Sequence, residues 1–244
     1  MFSCVFGTAS LAVARAALPH LKVGCVFADL TTADPEAVRL AAAEMAAAGV
    51  YYADITIMGA VAMAGFRAPL LCAGTGTSTL VPIFKQIGAP IRPLEGGKAG
   101  DPSALKILRS VFTKGLEALA VDCFVAAKRQ RVTAQLVDAL ADIDQTPLRT
   151  FMEALIRTHV VHAPRRLREV EEAERQLRQA NLPIAVLPAV RALFERTCAD
   201  LKQSPPGDSA PTTATAFAWL LANAERHGGS PSPELRSFAS FLSS

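Results

Sequence analysis

The chain has 244 residues, 51% of them apolar, with a formal net charge of +3 and few aromatics. That length allows one large domain or two small ones with a real core, and that apolar fraction excludes a disordered chain. So slight and dispersed a charge, with aromatics not interleaved among basic residues, argues against nucleic acid, and no apolar run reaches the roughly 18 residues a membrane span needs.

The first hundred residues alternate short β-rich runs with Ala-rich helical runs. In chain order they predict a strand at Phe2 to Phe6, a helix near Ser10 to Leu21 and a strand at Cys25 to Leu30. A helix opening with Pro35 and capped by Thr32 or Asp34 runs to about Ala48. Strands at Tyr51 to Ile57, Pro69 to Ala73 and Ile91 to Leu94 follow, with a helix at Ser78 to Ile87 before the last. This alternation argues for an α/β layer with a mostly parallel sheet. Gly74-Thr75-Gly76 reads as a tight strand-to-helix turn rather than a phosphate loop, since the third glycine is lacking. The apolar start has no basic leader and is interrupted by Arg15, so it reads as strand then helix in a cytoplasmic chain. Cysteines 4, 25, 72, 123 and 198 form no Cys-x-x-Cys pair, and their apolar neighbours predict buried free thiols.

After Gly96-Gly97 only helix periodicity remains. From Asp101 to Arg131 an otherwise apolar helix, with Asp101 as its cap and Pro102 at its first position, carries a polar stripe. That stripe is Lys106, Arg109, Ser110, Thr113, Lys114 and Glu117. The wide apolar arc predicts a helix buried nearly all round, with the stripe lining a cleft; the alternative is a partly exposed helix with Glu117 paired to Lys114. Further helices are predicted at Val132 to Leu140, Pro147 to His159, the charged Pro164 to Ala180, and Leu187 to Lys202. Residues 204–213 read as a linker, and Ala214 to Arg226 as a short amphipathic helix around Trp219. Residues 1–97, 98–202 and 203–244 are therefore expected as an α/β unit, a helical domain, and a linker with a helical tail.

Three segments carry a resemblance. VFADLTTADPE (26–36), YYADITIMGAVAMAGFRAPLLCAG (51–74), and SALKILRSVFTKGLEAL (103–119) with RTHVVHAPRRLREVEE (157–172) are similar to the β-hydroxyacid dehydrogenase superfamily. Within it, the chain most resembles the 6-phosphogluconate dehydrogenase-like branch with the DUF1932 C-terminal domain. The resemblance implies the C-terminal half of a Rossmann-like domain, followed by a helical dimerisation and substrate domain. Family members begin with a further strand, Gly-x-Gly-x-x-Gly turn, helix, strand, helix and strand, in all roughly 60–70 residues at about 30 for each βαβ unit. Backbone N–H groups of that turn hold the cofactor pyrophosphate, so NAD or NADP binding is expected to be impaired in this form. A misassigned start, gene decay or a second chain supplying the missing half would each account for this.

The resemblance also implies roles. A lysine on the interdomain helix handles the hydroxyl proton while hydride passes to or from nicotinamide, and Lys106 stands at that position. Desolvation beside Arg109 and Lys114 would lower its pKa toward neutrality. Where the family has asparagine this chain has Ser110, and Arg109 beside it fits a carboxylate or phosphate on a small-molecule substrate. Met58-Gly59-Ala60 replaces the family's Ser-Gly-Gly, losing a hydroxyl contact while Gly59 still permits close backbone approach. His162 and Arg165 match the branch's His-Ala-x-Arg-Arg pattern, an anion contact on the second wall or an interface; zinc on His159 and His162 lacks a completing ligand. Thr31 and Thr32 fall near the nicotinamide ribose. The expected function is an NAD(P)-dependent oxidoreductase acting on a small hydroxy acid or related carbonyl, as a homodimer through the helical domain. The alternative is a non-catalytic remnant acting as a dimerising helical interaction module.

Overall fold

The computed structural model of the chain describes residues 1–59 and 61–227. Two compact units divide at Gly115 and Leu116. The first contains strands β1 (Phe2–Ser3), β2 (Val26–Asp29), β3 (Tyr51–Ile57), β4 (Leu70–Ala73) and β5 (Ile91–Pro93). Helices α1 (Ser10–Ala17), α2 (Pro35–Ala47), the short α3 (Val61–Ala64) and α4 (Thr77–Gln86) alternate with them. Among the described residues the strands form one sheet in the order β1-β2-β3-β4-β5, parallel throughout except for the antiparallel pair β3 and β4.

Both faces of this sheet are covered, so β3, its middle strand, is buried along nearly its whole length. On one face Phe27 and Tyr52 stack with ring centroids 5.7 Å apart and pack with Val38, Ala41 and Met45 of α2. On the other, Ala28, Ala53 and Ile55 meet Leu80 and Phe84 of α4. Full burial of Phe27 alone is worth about 2–3 kcal/mol. Of the two candidate caps for α2, Asp34 is the one used: its carboxylate accepts the N–H groups of Glu36 (2.7 Å) and Ala37 (3.2 Å). In the Gly74–Gly76 turn, Gly74 has φ +106°, and a Cβ there would stand 2.6 Å from the Tyr52 carbonyl oxygen. At Gly76 a Cβ would stand 2.6 Å from Val26 and 3.3 Å from Ala53, so close packing on the sheet accounts for both glycines.

Helix α5 (Asp101–Arg129) contains the division between the units. The second unit continues with α6 (Thr133–Ala139), α7 (Ala141–Asp144), α8 (Leu148–Gln179), α9 (Leu187–Gln203) and α10 (Thr213–His227). The two helices expected on either side of Pro164 are one: α8 passes through the proline, which leaves the Val160 carbonyl without its helical donor. Val160 and Ala163 are fully buried there, and that packing holds the turn. On α8 the i,i+4 pairs Arg165–Glu169 and Arg178–Glu174 form, while Arg175 pairs with Glu172 at i,i+3. Residues 204–212 are irregular; the Ser204 carbonyl accepts the Trp219 indole N–H at 2.7 Å, and the Thr212 hydroxyl caps α10.

Two expectations are corrected. Helix α5 is not buried nearly all round: Leu108, Val111, Leu116 and Val121 are all more than half exposed, because none of the described residues covers that face. Of the cysteines only Cys72 is buried; Cys4 and Cys123 are exposed, Cys123 lying on the uncovered helix.

Candidate functional site

The carboxyl end of β2, where ligands gather on open α/β sheets, and the middle of β3 bring two buried carboxylates side by side. Asp29 and Asp54 are paired in register, on the sheet face that carries Phe27 and Tyr52. Both are essentially inaccessible. Buried carboxylates persist only where hydrogen bonds replace water. Asp29 accepts the Ser10 hydroxyl at 2.5 Å, the Tyr52 hydroxyl at 3.0 Å and the Thr31 N–H at 2.9 Å. Burial, reinforced by Asp29, pushes the Tyr52 phenol well above its usual range.

Asp54 accepts the Gly100 N–H at 2.9 Å and the Ser103 hydroxyl at 3.3 Å. It therefore does what Asp101 was expected to do. The Asp101 carboxylate instead accepts the Lys98 N–H at 2.8 Å and faces Arg39 at 3.5 Å. Gly100 has φ +95° and lies so close to α2 that a Cβ would stand 2.8 Å from the Pro35 carbonyl oxygen. Burial outweighs the hydrogen bonds and lifts Asp54 to about 6. A carboxyl raised in the folded state favours folding when protonated: the contribution is complete below its unfolded value and is lost as pH rises through about 6. Asp54→Asn is thus expected to abolish a fall in stability of about 2–3 kcal/mol between pH 4 and 7. Urea titrations of both proteins across that range check it.

One turn beyond Ser103 stands Lys106. Partial burial, with Arg109 nearby, lowers its pKa. Arg109 and Ser110 are exposed on the same helix. Thr31 is buried, its hydroxyl accepting the Val5 N–H at 3.2 Å, while Thr32 is half-buried at the same turn. Next to this turn, at the carboxyl end of β1, the Ser3 hydroxyl is buried and has no partner. Gly59 is loosely packed, a Cβ there meeting only Pro69 at 3.5 Å. All of these belong to the first unit; His162 and Arg165 belong to the second. Arg165 is an exposed partner of Glu169. His162 lines an open cleft of about 640 Å³ with Arg157, Thr158 and Val161 of α8 and residues 209–213. His159 contacts the Thr197 hydroxyl at 2.8 Å and the Phe194 ring; burial, with Arg166, lowers its pKa.

Sequence reasoning overlooked Asp29, Asp54, Ser103 and Arg157. The first two had a signal: aspartates inside strands otherwise rich in Val, Phe, Tyr and Ile.

A family model, a domain of unknown function named DUF1932, matches residues 127–197, from the end of α5 into α9. An uncharacterized 28.5 kDa protein from the 7S RNA 5′ region of Methanothermus fervidus is 25% identical over 144 residues, 59% of this chain. The match spans 55% of that protein, about half its length. Among solved structures, the conserved protein MTH1747, of unknown function and described as similar to 3-hydroxyacid dehydrogenases, is 26% identical with a TM-score of 0.53. It covers 80% of this chain and 73% of its own. A reductive aminase from Aspergillus terreus, solved with NADPH and ethyl levulinate, has a TM-score of 0.65 at 19% identity, covering 90% and 78%. An imine reductase from Myxococcus stipitatus, solved with NADP+, has a TM-score of 0.62 at 15% identity, covering 90% and 81%. The chain thus matches DUF1932 over part of its helical half, and its α/β sheet followed by helices is the fold of hydroxyacid dehydrogenase-like proteins.

Proposed function

We propose that the chain is an NAD(P)-dependent oxidoreductase acting on a small hydroxy acid or a related carbonyl or imine, with Lys106 as its proton-transfer group. The observation that carries this reading is Lys106 itself, a lysine whose pKa partial burial depresses, in the second turn of a helix anchored to the sheet. The nicotinamide, when bound, supplies or accepts the hydride. Lys106 donates a proton to the carbonyl oxygen or imine nitrogen on reduction, and accepts it from the hydroxyl or amine on oxidation. Arg109 fits a substrate carboxylate or phosphate, Ser110 a hydroxyl, Gly59 a close backbone approach, and His162 and Arg165 a further anion contact. Thr31, Thr32 and the unpartnered Ser3 hydroxyl fit the cofactor's ribose side. MTH1747's described likeness to 3-hydroxyacid dehydrogenases and the nucleotides bound by the two reductases support the class.

The 244 residues contain no Gly-x-Gly-x-x-Gly turn, so weak dinucleotide binding by these residues alone is part of the proposal. The test is titration of NADH and NADPH against Trp219 fluorescence, followed by absorbance assays on hydroxy acids and on carbonyls with amines. Saturable binding with turnover supports it; folded protein with neither sinks it and leaves the interaction-module reading.

The uncovered face of α5 favours a homodimer under either reading, since exposed apolar patches of this kind mark interfaces. Val111→Glu, at a position 68% exposed in the single chain, is expected to weaken self-association about a hundredfold. Sedimentation equilibrium checks it, and a wild-type chain that is monomeric at micromolar concentration would refute the dimer. No helix among the described residues is long and apolar enough to cross a membrane.

A further inference from the structure

We propose that Asp54 is a positioning residue for Lys106: its carboxylate pins the first turn of α5 to the sheet, and its protonation state sets how that turn presents the lysine. The importance of this for turnover rests on the oxidoreductase reading above; the latch itself does not.

The geometry is convergent. Asp54 sits on the middle strand with no solvent exposure, and its two oxygens receive Gly100 N–H and Ser103 hydroxyl. The Thr56 hydroxyl stands 3.5 Å from the same oxygen as Ser103. Gly100 lies close to α2, where a Cβ would stand 2.8 Å from the Pro35 carbonyl oxygen and 3.0 Å from the Arg39 side chain. Lys106 follows Ser103 by three residues, about 4.5 Å along the helix axis. While Asp54 is ionised, both donors point into it, and its charge also complements the positive end of the α5 dipole. Once it is protonated, one carboxyl oxygen becomes a donor, and a hydroxyl facing it, Ser103 or Thr56, turns to accept. The turn changes its hydrogen-bond polarity without losing its anchor.

The charged and titratable groups around Asp54 are Asp29 on β2, Tyr52 on β3, Cys72 on β4, Arg39 on α2 and Asp101 on α5. Burial pushes both the Tyr52 phenol and the Cys72 thiol up, away from neutrality.

The test uses the full chain with its lysines reductively methylated with 13C, the Lys106 resonance being identified by its loss in Lys106→Arg. In wild type that resonance is expected to move with a midpoint of about 6. In Asp54→Asn, which mimics the protonated state, it stays at the wild-type low-pH position throughout. Amide exchange at Ala104 and Leu105 stays near wild type in Asp54→Asn and quickens about tenfold in Asp54→Ala. Should Asp54→Ala fail to fold, Ser103→Ala carries the test: losing a donor to the ionised form raises the midpoint. A step that survives in Asp54→Asn, unchanged exchange in folded Asp54→Ala, or an unmoved midpoint in Ser103→Ala overturns the proposal. Turnover indifferent to Lys106 would instead sink the oxidoreductase reading and leave these shifts intact.

Discussion

Asp29→Ala is expected to cost about 4 kcal/mol, because three buried donors lose their acceptor at once. Ser10 hydroxyl, Tyr52 hydroxyl and Thr31 N–H all converge on that one carboxylate, and none has water to fall back on. Asp29→Asn keeps one acceptor oxygen and is expected to cost about half as much. The loss should be confined to the first compact unit. Scanning calorimetry is expected to show its transition lowered by about 15 °C. The transition of the helical unit, which Asp29 does not touch, should remain in place. A uniform shift of all the heat absorption, or none, would show that the cluster is not the keystone of the sheet.

The second large effect concerns Lys106. Lys106→Met keeps the length and apolar stem of the side chain and removes only the ammonium, so the helix should stay where it is. Turnover is expected to fall by about 10²–10⁴-fold, the usual worth of a positioned proton donor. Nucleotide affinity should change little, which separates chemistry from binding. Because burial and Arg109 depress the lysine's pKa, the wild-type rate of reduction should decline on the alkaline side at a lower pH than an exposed lysine would give. Lys106→Arg, whose guanidinium does not release a proton, should not restore the rate. A Met variant within a few-fold of wild type would mean that another group moves the proton.

Some of this was legible in the residues and some was not. The strand at Tyr51 to Ile57 was readable to the residue, because β-branched and aromatic side chains bounded by Gly49 and Gly59 leave few alternatives. Its aspartate was not. In a half-buried strand Asp54 and Thr56 would mark the wet face, and only the covering of both faces turns that pattern into a buried polar line. Pro164 misled because proline is read as a helix opening, whereas tight packing at Val160 and Ala163 carries α8 through it. The α5 arc misled differently: apolar periodicity says that a surface seeks cover, not that its own chain provides it. The stripe containing Lys106, Arg109 and Ser110 could be read from spacing, but its chemistry came from resemblance alone.

The reversal between β3 and β4 has a kinetic consequence. These strands are neighbours in sequence as well as in space, with Asp54 to Ile57 facing Leu70 to Ala73. An antiparallel pair of that kind closes a short loop and can form before any parallel crossover is complete. Strand β1, which pairs with β2 in parallel across the α1 crossover, is the opposite case. The sheet is therefore expected to assemble outward from its middle, with β1 the last strand to dock and the first to leave.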